Sequence, residues 1–128
     1  MLCPCQSELS YAQCCRPLHD GKTAPTALQL MRSRYSAYVQ RDAAYLHKTW
    51  HQSTRPSLKQ LRQPEPVEWL GLTIIRTEGG TESDSSGLVE FIAHFSAQGS
   101  TQQLHETSRF SREKGKWYYL DGNYAMSE

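Results

Sequence analysis

Four cysteines stand close together at the start of this 128-residue chain, at Cys3, Cys5, Cys14 and Cys15. Side chains two positions apart in an extended segment point the same way, and the eight residues after Cys5 are enough for the chain to turn back. Zn²⁺ prefers a tetrahedron of thiolate and imidazole ligands, and four protein ligands leave no position for a substrate. The spacing therefore predicts one structural zinc ion per chain that staples a small N-terminal head.

Other states of these thiols are less consistent with the sequence. A disulfide between Cys3 and Cys5, or between the adjacent Cys14 and Cys15, would be strained, and four free thiols in one cluster would be a coincidence. The first residues form neither a basic nor an apolar leader segment, and no run approaches the roughly 20 apolar residues of a membrane span. We therefore expect a soluble cytoplasmic protein with reduced thiols. His19 could replace Cys15 as the fourth ligand.

The head is expected to cover residues 1–22 and a single larger domain residues 23–128. In the larger domain, Thr26 followed three residues later by Gln29 is typical of a helix N-terminus. Apolar residues then recur at helical spacing, and a second helix is expected to start at Asp42. Residues 26–50 are thus predicted to be mainly helical, with the face of the first helix formed by Leu28, Met31, Tyr35 and Tyr38.

After Pro66 the hydrophobic period changes from helical to two, which indicates strands. We predict four of them, at residues 67–77, 88–97, 101–112 and 116–121, with a flexible loop over residues 78–87 and short turns elsewhere. Leu70, Leu72 and Ile74 should share one face of the first strand, and the second should alternate cleanly. Helices followed by a meander predict an α+β fold, with the helices on one face of an antiparallel sheet.

Charge is divided unevenly along the chain. Residues 1–62 hold nine Lys/Arg and three Asp/Glu, and residues 63–128 hold five and ten, so the halves carry +6 and −5 within a total of +1. A basic N-terminal half is compatible with docking a protein partner, although a solvated helical surface explains it equally well. The nearly neutral total disfavours nucleic acid as a partner.

Several segments resemble known families. Cys3-Pro4-Cys5, Ser7, Tyr11 and Cys14-Cys15 resemble the SEC-C motif, a zinc-binding segment also found in the bacterial preprotein-translocation ATPase. Gln6 and Glu8 stand where that motif usually has glycine.

LMRSRY at residues 30–35, YLHKTWH at 45–51, LHETSRF at 104–110 and GKWYYLDG at 115–122 are similar to the bacterial YchJ family. The similarity runs over nearly the whole chain. It implies a cone-shaped NTF2-like domain, with a curved sheet, behind the zinc motif, and it implies no settled activity.

In a curved sheet closed by helices, the inner strand face lines a cavity. The alternation places Glu106 and Ser108 on one face of the third strand, and Tyr119 and Asp121 on one face of the fourth. We expect these four to converge on a ligand. Two further candidates, Trp50 and His51, would cover the mouth of the cavity.

More ordinary roles are open for the same residues. Glu106 is expected to be at least partly buried and paired with an arginine, either Arg34 or Arg109, because an unpaired buried charge is costly. His51 could simply end a helix, and Asp121 beside Gly122 is typical of a turn. No residue is predicted to be catalytic, because no triad is fixed by spacing and no glycine-rich phosphate loop follows a strand.

Two kinds of function are compatible with these patterns. The first is a non-enzymatic module that binds a protein through the zinc head or a small molecule in the sheet cavity. The alternative is an NTF2-like enzyme, a hydrolase or isomerase, that acts on a small molecule with the polar residues of the concave face.

Overall fold

The computed structural model describes residues 1–64 and 66–124. A short 3₁₀ turn (Tyr11–Gln13) precedes four helices, which are α1 (Cys15–His19), α2 (Ala27–Gln40), α3 (Ala43–Lys48) and α4 (Leu58–Leu61). Four strands follow, β1 (Val67–Gly79), β2 (Ser86–Ala97), β3 (Ser100–Glu113) and β4 (Lys116–Tyr124). They form one sheet in the order β1-β2-β3-β4, and each pair is antiparallel. The predicted α+β class, with helices first and then a meander, is confirmed.

The helices begin where their capping residues stand. The Thr26 side chain accepts the backbone N–H of Gln29 at 3.1 Å, and the Asp42 side chain accepts that of Tyr45 at 3.1 Å. These bonds satisfy amides that have no partner within the helix. Helix α2 ends at Arg41, whose left-handed φ of 58° turns the chain into α3. The expectation of mainly helical structure over residues 26–50 is confirmed. Of the helices in the described part of the chain, none has the length and apolar character that a bilayer crossing requires.

Helix α2 is buried on more sides than the predicted apolar face. Met31 and Tyr35 are buried as expected, but so are the polar side chains of Ser33, Arg34 and Ser36. The reason is that α2 contacts the sheet on one side and both α1 and α3 on others. A helix in this position needs small or internally bonded polar residues on its second face.

The strands run slightly beyond their predicted bounds. Strand β1 reaches Gly79 and β2 begins at Ser86, so the connecting loop is shorter than expected. Gln98 and Gly99 have φ values of 52° and 80°, as a tight hairpin between β2 and β3 requires.

A bulge near the start of β1 changes which residues face the core. Trp69 pairs with Phe95 and Gly71 pairs with His94, so Leu70 is an extra residue without a partner. An extra residue reverses the alternation on one side of the bulge. Trp69 therefore faces inward with Phe95, whereas Leu70 is 46% exposed. The prediction that Leu70 shares the inner face with Leu72 and Ile74 is wrong for Leu70.

The far edge of the sheet is covered by the segment that follows α3. The backbone N–H of Tyr119 donates to the Thr49 carbonyl at 2.9 Å, and that of His51 donates to the Tyr119 carbonyl at 2.7 Å. These two bonds extend the β4 edge by a short stretch of backbone. They also carry Trp50, which lies between the two bonded residues, to the inner side of β4.

One hydrophobic cluster joins the N-terminal head to the rest of the molecule. Cys3, Cys5 and Cys15 belong to the same buried cluster as residues from α2 and all four strands. The division into a head of residues 1–22 and a domain of residues 23–128 stays a prediction, and residues 125–128 lie outside the described part of the chain.

Candidate metal centre and concave cavity

The four cysteines of the head come together at one point. Their Sγ atoms all lie within 4.8 Å of one another. The Sγ atom of Cys14 is 3.6 Å from that of Cys5 and 3.9 Å from that of Cys15. Four thiolates at about 2.3 Å from one tetrahedral zinc ion have sulfur–sulfur distances of about 3.8 Å. The cluster is therefore compatible with metal binding, and its donor set fits zinc.

Hydroxyl groups surround the sulfur atoms. The Ser7 hydroxyl donates to Cys14 Sγ at 3.1 Å, and the Ser36 hydroxyl donates to Cys15 Sγ at 3.2 Å. Ser36 Oγ is also 3.5 Å from Cys3 Sγ. Donors of this kind orient the ligands and stabilise their negative charge.

Helix α2 provides a cation beside the cluster. Arg32 Nη1 donates to the Cys5 carbonyl at 2.8 Å and lies 3.9 Å from Cys5 Sγ. Arg32 and Ser36 are four residues apart, so one face of α2 supplies both groups. Part of the polar surroundings of the sulfurs thus comes from α2 and part, through Ser7, from the head itself.

The thiols influence one another's pKa values. The hydrogen bond from Cys15 lowers the pKa of Cys5 to about 4. The same bond, followed by burial, raises the pKa of Cys15, and burial raises the pKa of Cys14. Neighbouring thiols thus stabilise one thiolate, and a divalent cation would compensate for the charge of the others.

His19 has a different role from the fourth ligand considered above. Its Nδ1 is 2.7 Å from the Tyr11 hydroxyl, and its Nε2 donates to the Ser33 carbonyl at 2.8 Å. The ring packs edge to face on Tyr45, with 4.6 Å between centroids. Because both nitrogens are engaged, His19 joins the head to α2 and α3, whereas Cys15 lies in the group of four sulfur atoms.

Gln6 connects the head to the edge strand of the sheet. It has a left-handed φ of 63°, as expected where the motif usually has glycine. Its Oε1 accepts the backbone N–H of Leu72 at 3.2 Å, and its Nε2 donates to the Leu70 carbonyl at 3.4 Å. A Cβ at Gly71 would lie only 2.9 Å from Gln6 Nε2. The β1 bulge and Gly71 thus make room for this side chain, and the sequence patterns gave no sign of it.

A cavity of about 230 Å³ lies between α2 and the inner face of the sheet. Arg34, Glu106, Ser108 and the hydroxyl of Tyr119 are among the polar groups that line it, and the rest of the wall is aromatic or aliphatic. A larger groove of about 480 Å³ lies beside it, but the charged residues of that groove are exposed. The smaller cavity is where the fold buries charge.

Arg34 is the buried cation of this cavity and is only 4% exposed. Its Nη1 donates to the Leu46 carbonyl at 3.0 Å and to the Thr49 hydroxyl at 2.7 Å. Its Cζ lies 4.9 Å from the centroid of the Trp50 ring and 4.6 Å from that of Tyr119. Burial lowers the pKa of Arg34, while the aromatic faces and the carbonyl stabilise its charge.

Glu106 is the buried carboxylate of the cavity, 6% exposed. Its Oε2 accepts hydrogen bonds from the Ser108 hydroxyl at 2.5 Å and the Tyr119 hydroxyl at 3.1 Å. A Cβ on Gly122 would lie 2.0 Å from this oxygen, so only glycine leaves room for the carboxylate. Burial and the adjacent carboxylate both raise the pKa of Tyr119.

The predicted burial of Glu106 is confirmed, but its predicted pairing with an arginine is wrong. None of the ion pairs among the described residues involves Glu106. Arg109 lies on the outer face. Arg34 lies in the cavity but contacts the ring of Tyr119, whereas Glu106 contacts the hydroxyl at the far end of the same side chain.

Asp121 does not join the other predicted pocket residues. Phe110 pairs with Tyr119 and Arg109 pairs with Asp121, so Leu120 is an extra residue in β4. This bulge leaves Tyr119 inside and turns Asp121 to the outer face, where its oxygens accept from Arg109 at 2.6 and 2.5 Å. The expectation that Asp121 lines the cavity is therefore wrong.

His51 is also absent from the cavity wall. Its ring nitrogens bond to Ser53 and Glu113, and the ring lies against Tyr118. The neighbouring Trp50 does line the cavity, as expected. The two residues separate because they follow α3 in an extended segment, where adjacent side chains point in opposite directions.

Arg34 and Tyr124 line the cavity but were not predicted as site residues, and neither was Gly122, which leaves room for the Glu106 carboxylate. Arg34 carried a signal, because it falls at helical spacing between the apolar residues Met31 and Tyr38. Gly122 and Tyr124 were placed beyond the last predicted strand, although β4 continues to Tyr124.

Comparison with known proteins covers both parts of the chain. Residues 26–122 match the family model described as YchJ, middle NTF2-like domain, and residues 2–17 match the model of the SEC-C motif. A UPF0225 protein of Xanthomonas oryzae pv. oryzae is 50% identical over 121 residues, which cover 93% of this chain and 92% of the relative. A UPF0225 protein of Chromobacterium violaceum is 48% identical over 122 residues, covering 94% and 90%.

Two solved structures are similar over almost the whole chain. The solution structure of a SEC-C motif containing protein from Rhodopseudomonas palustris is 34% identical with a TM-score of 0.88, covering 98% of this chain and 100% of the other. The crystal structure of a SEC-C motif containing protein from Psychrobacter arcticus is 32% identical with a TM-score of 0.79, covering 98% and 84%.

Proposed function

The chain belongs to the YchJ family, which joins a SEC-C motif to an NTF2-like domain, and from that premise we propose that it is a non-enzymatic module that binds one small molecule in the concave cavity. The observation that carries the proposal is the presence of buried Arg34 and Glu106 in one aromatic-walled cavity without an ion pair between them. Burying two charges that do not neutralise each other directly is costly. A ligand that complements both would offset that cost.

As part of the same proposal, the four cysteines hold one Zn²⁺ per chain. The sulfur–sulfur distances of 3.6 and 3.9 Å support this assignment, as does the hydroxyl and guanidinium shell around the sulfurs. A zinc ion coordinated by four thiolates stabilises the folded state, because the free energy of metal binding contributes to folding. The ion would fix the head against α2, which forms one wall of the cavity. Thiols stay reduced only in a reducing compartment, so we propose that the protein is cytoplasmic.

The alternative, a hydrolase or isomerase, has less support from the geometry. Among the described residues that line the cavity, Glu106 is the sole carboxylate and there is no histidine. His51 and Asp121, which could have served as acid or base, are bonded elsewhere. Binding needs complementary groups, which the cavity has, whereas acid–base catalysis there would have only Glu106 and tyrosine hydroxyls such as that of Tyr119 to transfer protons.

A protein partner on the head is a second candidate, favoured by two exposed leucines. Leu2 is 69% exposed and Leu9 is 51% exposed. If they contact a partner, Leu2→Ser with Leu9→Ser should abolish its capture while the metal content stays unchanged. Equal capture by the intact protein and this double variant would exclude the role.

A thermal-shift screen with small molecules tests ligand binding in the cavity. A ligand at 100 times its Kd should add about 2.7 kcal/mol to stability. Leu104→Trp is the matched variant, because Leu104 lines the cavity and is only half-buried, so a larger side chain should occupy its space. We expect ligands that stabilise the intact protein to have no effect on Leu104→Trp. A broad library that never raises the midpoint would contradict the proposal.

A further inference from the structure

The guanidinium of Arg34 has donors that the described residues do not use. Its Nη1 donates to Leu46 and Thr49. Nε and Nη2 have no hydrogen-bond partner among the described residues. Among the described residues, Trp50 Nε1 is the one side-chain nitrogen or oxygen that is inaccessible to solvent and has no hydrogen-bond partner. The free nitrogens of Arg34 are therefore not sealed, and they open onto the cavity that Arg34 lines.

The unused edge of Arg34 has a defined chemical preference. Nε and Nη2 present two parallel N–H groups, and this pair matches the two oxygens of a carboxylate. The Trp50 and Tyr119 rings and the bonds of Nη1 hold the guanidinium in place. A fixed guanidinium loses little conformational entropy when a ligand binds. Arg34 is thus preorganised for a planar acceptor with two oxygens.

Glu106 restricts which acids fit the cavity. Its carboxylate would repel an anionic ligand unless the ligand also brings a hydrogen-bond donor or a positive charge towards it. The Tyr119 ring contacts Arg34 and its hydroxyl contacts Glu106. The carboxylate and the donor of the ligand must therefore lie at opposite ends of a body about as long as one aromatic side chain.

Building on the proposed function, we infer that the ligand is a small, flat carboxylic acid whose carboxylate binds the Nε–Nη2 edge of Arg34 and whose far end donates a hydrogen bond to Glu106. A phosphate monoester fits less well, because its second negative charge would be buried in a cavity that already holds Glu106. The aromatic wall favours a flat apolar body between the two polar ends.

Calorimetric titration of the metal-loaded protein with three related compounds tests the inference. The first compound, 4-hydroxybenzoate, has both polar ends, benzoate lacks the donor, and benzamide lacks the negative charge. We expect 4-hydroxybenzoate to bind best, benzoate to bind more weakly and benzamide to bind weakest. In ¹⁵N spectra, the Nε–H resonance of Arg34 should shift with the first compound. Tight binding without a change in that resonance would overturn the role of Arg34.

Variants separate the two ends of the cavity. Arg34→Gln should weaken 4-hydroxybenzoate binding by about tenfold to a hundredfold, since hydrogen bonds to a charged group are lost. Arg109→Gln, which alters an outer-face arginine, should bind normally. Glu106→Gln should strengthen benzoate binding and reduce the advantage of the hydroxyl compound. If Arg34→Gln does not fold, the Arg34 resonance of the intact protein still tests the contact with the carboxylate. The Glu106→Gln titration then tests the contact at the other end of the ligand.

The outcomes distinguish this inference from the proposed function. If neutral compounds bind and Leu104→Trp blocks them while carboxylates bind no better, the cavity binds ligands but the carboxylate inference is wrong. If neither charged nor neutral compounds that fit 230 Å³ bind, both fail. Preferential binding of carboxylates that depends on Arg34 supports both.

Discussion

The cysteine-rich head and the concave cavity lie on different faces of α2 and are built in different ways. The head takes its four sulfurs from a short stretch of chain and receives Arg32 and Ser36 from the helix. The cavity takes Arg34 from the helix and Glu106 from a distant strand. Local spacing determines the first site, whereas strand register determines the second. One helix therefore connects the cysteine cluster with the concave cavity.

Loss of the metal should have the largest effect, because it removes the bonds that hold the head together. Metal binding contributes roughly 10–16 kcal/mol in isolated zinc-finger peptides. The head also shares its buried cluster with α2, so Cys5→Ala should expose amides of residues 1–20 and also of residues 32–36 to hydrogen exchange. Adding a chelator to this variant should change nothing further. Protection of α2 that is unaffected by metal loss would show that the two regions are independent.

Gly122→Ala should have the next largest effect, and it concerns the cavity alone. Its Cβ would lie 2.0 Å from Glu106 Oε2, and overpacking of this kind costs about 1–3 kcal/mol. Denaturant unfolding should show the loss, and the same substitution in a Glu106→Ala background should cost much less. An equal cost in both backgrounds would mean that Gly122 is needed for another reason.

Gln6→Ala tests the bond between the head and the edge strand. It removes two hydrogen bonds to β1, each worth about 0.5–1.5 kcal/mol. Glu8→Ala is the matched control, because Glu8 also has a left-handed φ, of 73°, but makes no side-chain bond with another described residue. The amide of Leu72 should exchange faster in Gln6→Ala and at the normal rate in Glu8→Ala. If the Leu72 amide exchanges at the same rate in both variants, the Gln6 side chain does not stabilise the contact between the head and β1.

The outer face of the sheet should give the smallest effect, and it should depend on pH. Its hydrogen bonds with Arg109 lower the pKa of Asp121 below the ordinary value of 3.8. A depressed carboxyl pKa adds stability above that ordinary value and loses it as the pH falls through the folded-state value. Asp121→Asn should therefore flatten the stability curve below pH 3.8, by a small amount because solvent screens the pair. An unchanged slope would show that the bond contributes nothing in solution.

The sequence predicted the two regions to different extents for physical reasons. The convergence of Cys3, Cys5, Cys14 and Cys15 was predictable because their spacing is local. The inner face of β3 was also predictable, since its alternation is unbroken. Single extra residues, Leu70 in β1 and Leu120 in β4, reverse the alternation, and a period of two cannot locate them.

Buried polar groups were the second limit of sequence reasoning. Arg34 lies on an apolar helix face, where its position alone does not distinguish a solvated cation from a buried one. The space for the Glu106 side chain depends on Gly122. In the sequence alone, a glycine at this position is equally typical of a turn. The role of Gly122 requires the pairing of β3 with β4, and that of Arg34 requires the packing of α2 against the end of α3 and against Tyr119.

X-ray absorption at the zinc edge, on reduced protein never exposed to chelator, tests the central contrast between a closed centre and an open cavity. We expect one zinc ion per chain with four sulfur neighbours at about 2.3 Å, unchanged when 4-hydroxybenzoate is added. A zinc ion with a nitrogen or oxygen neighbour, or a shell that changes with the ligand, would make the head an open site. Protein without zinc would contradict the account of the head altogether.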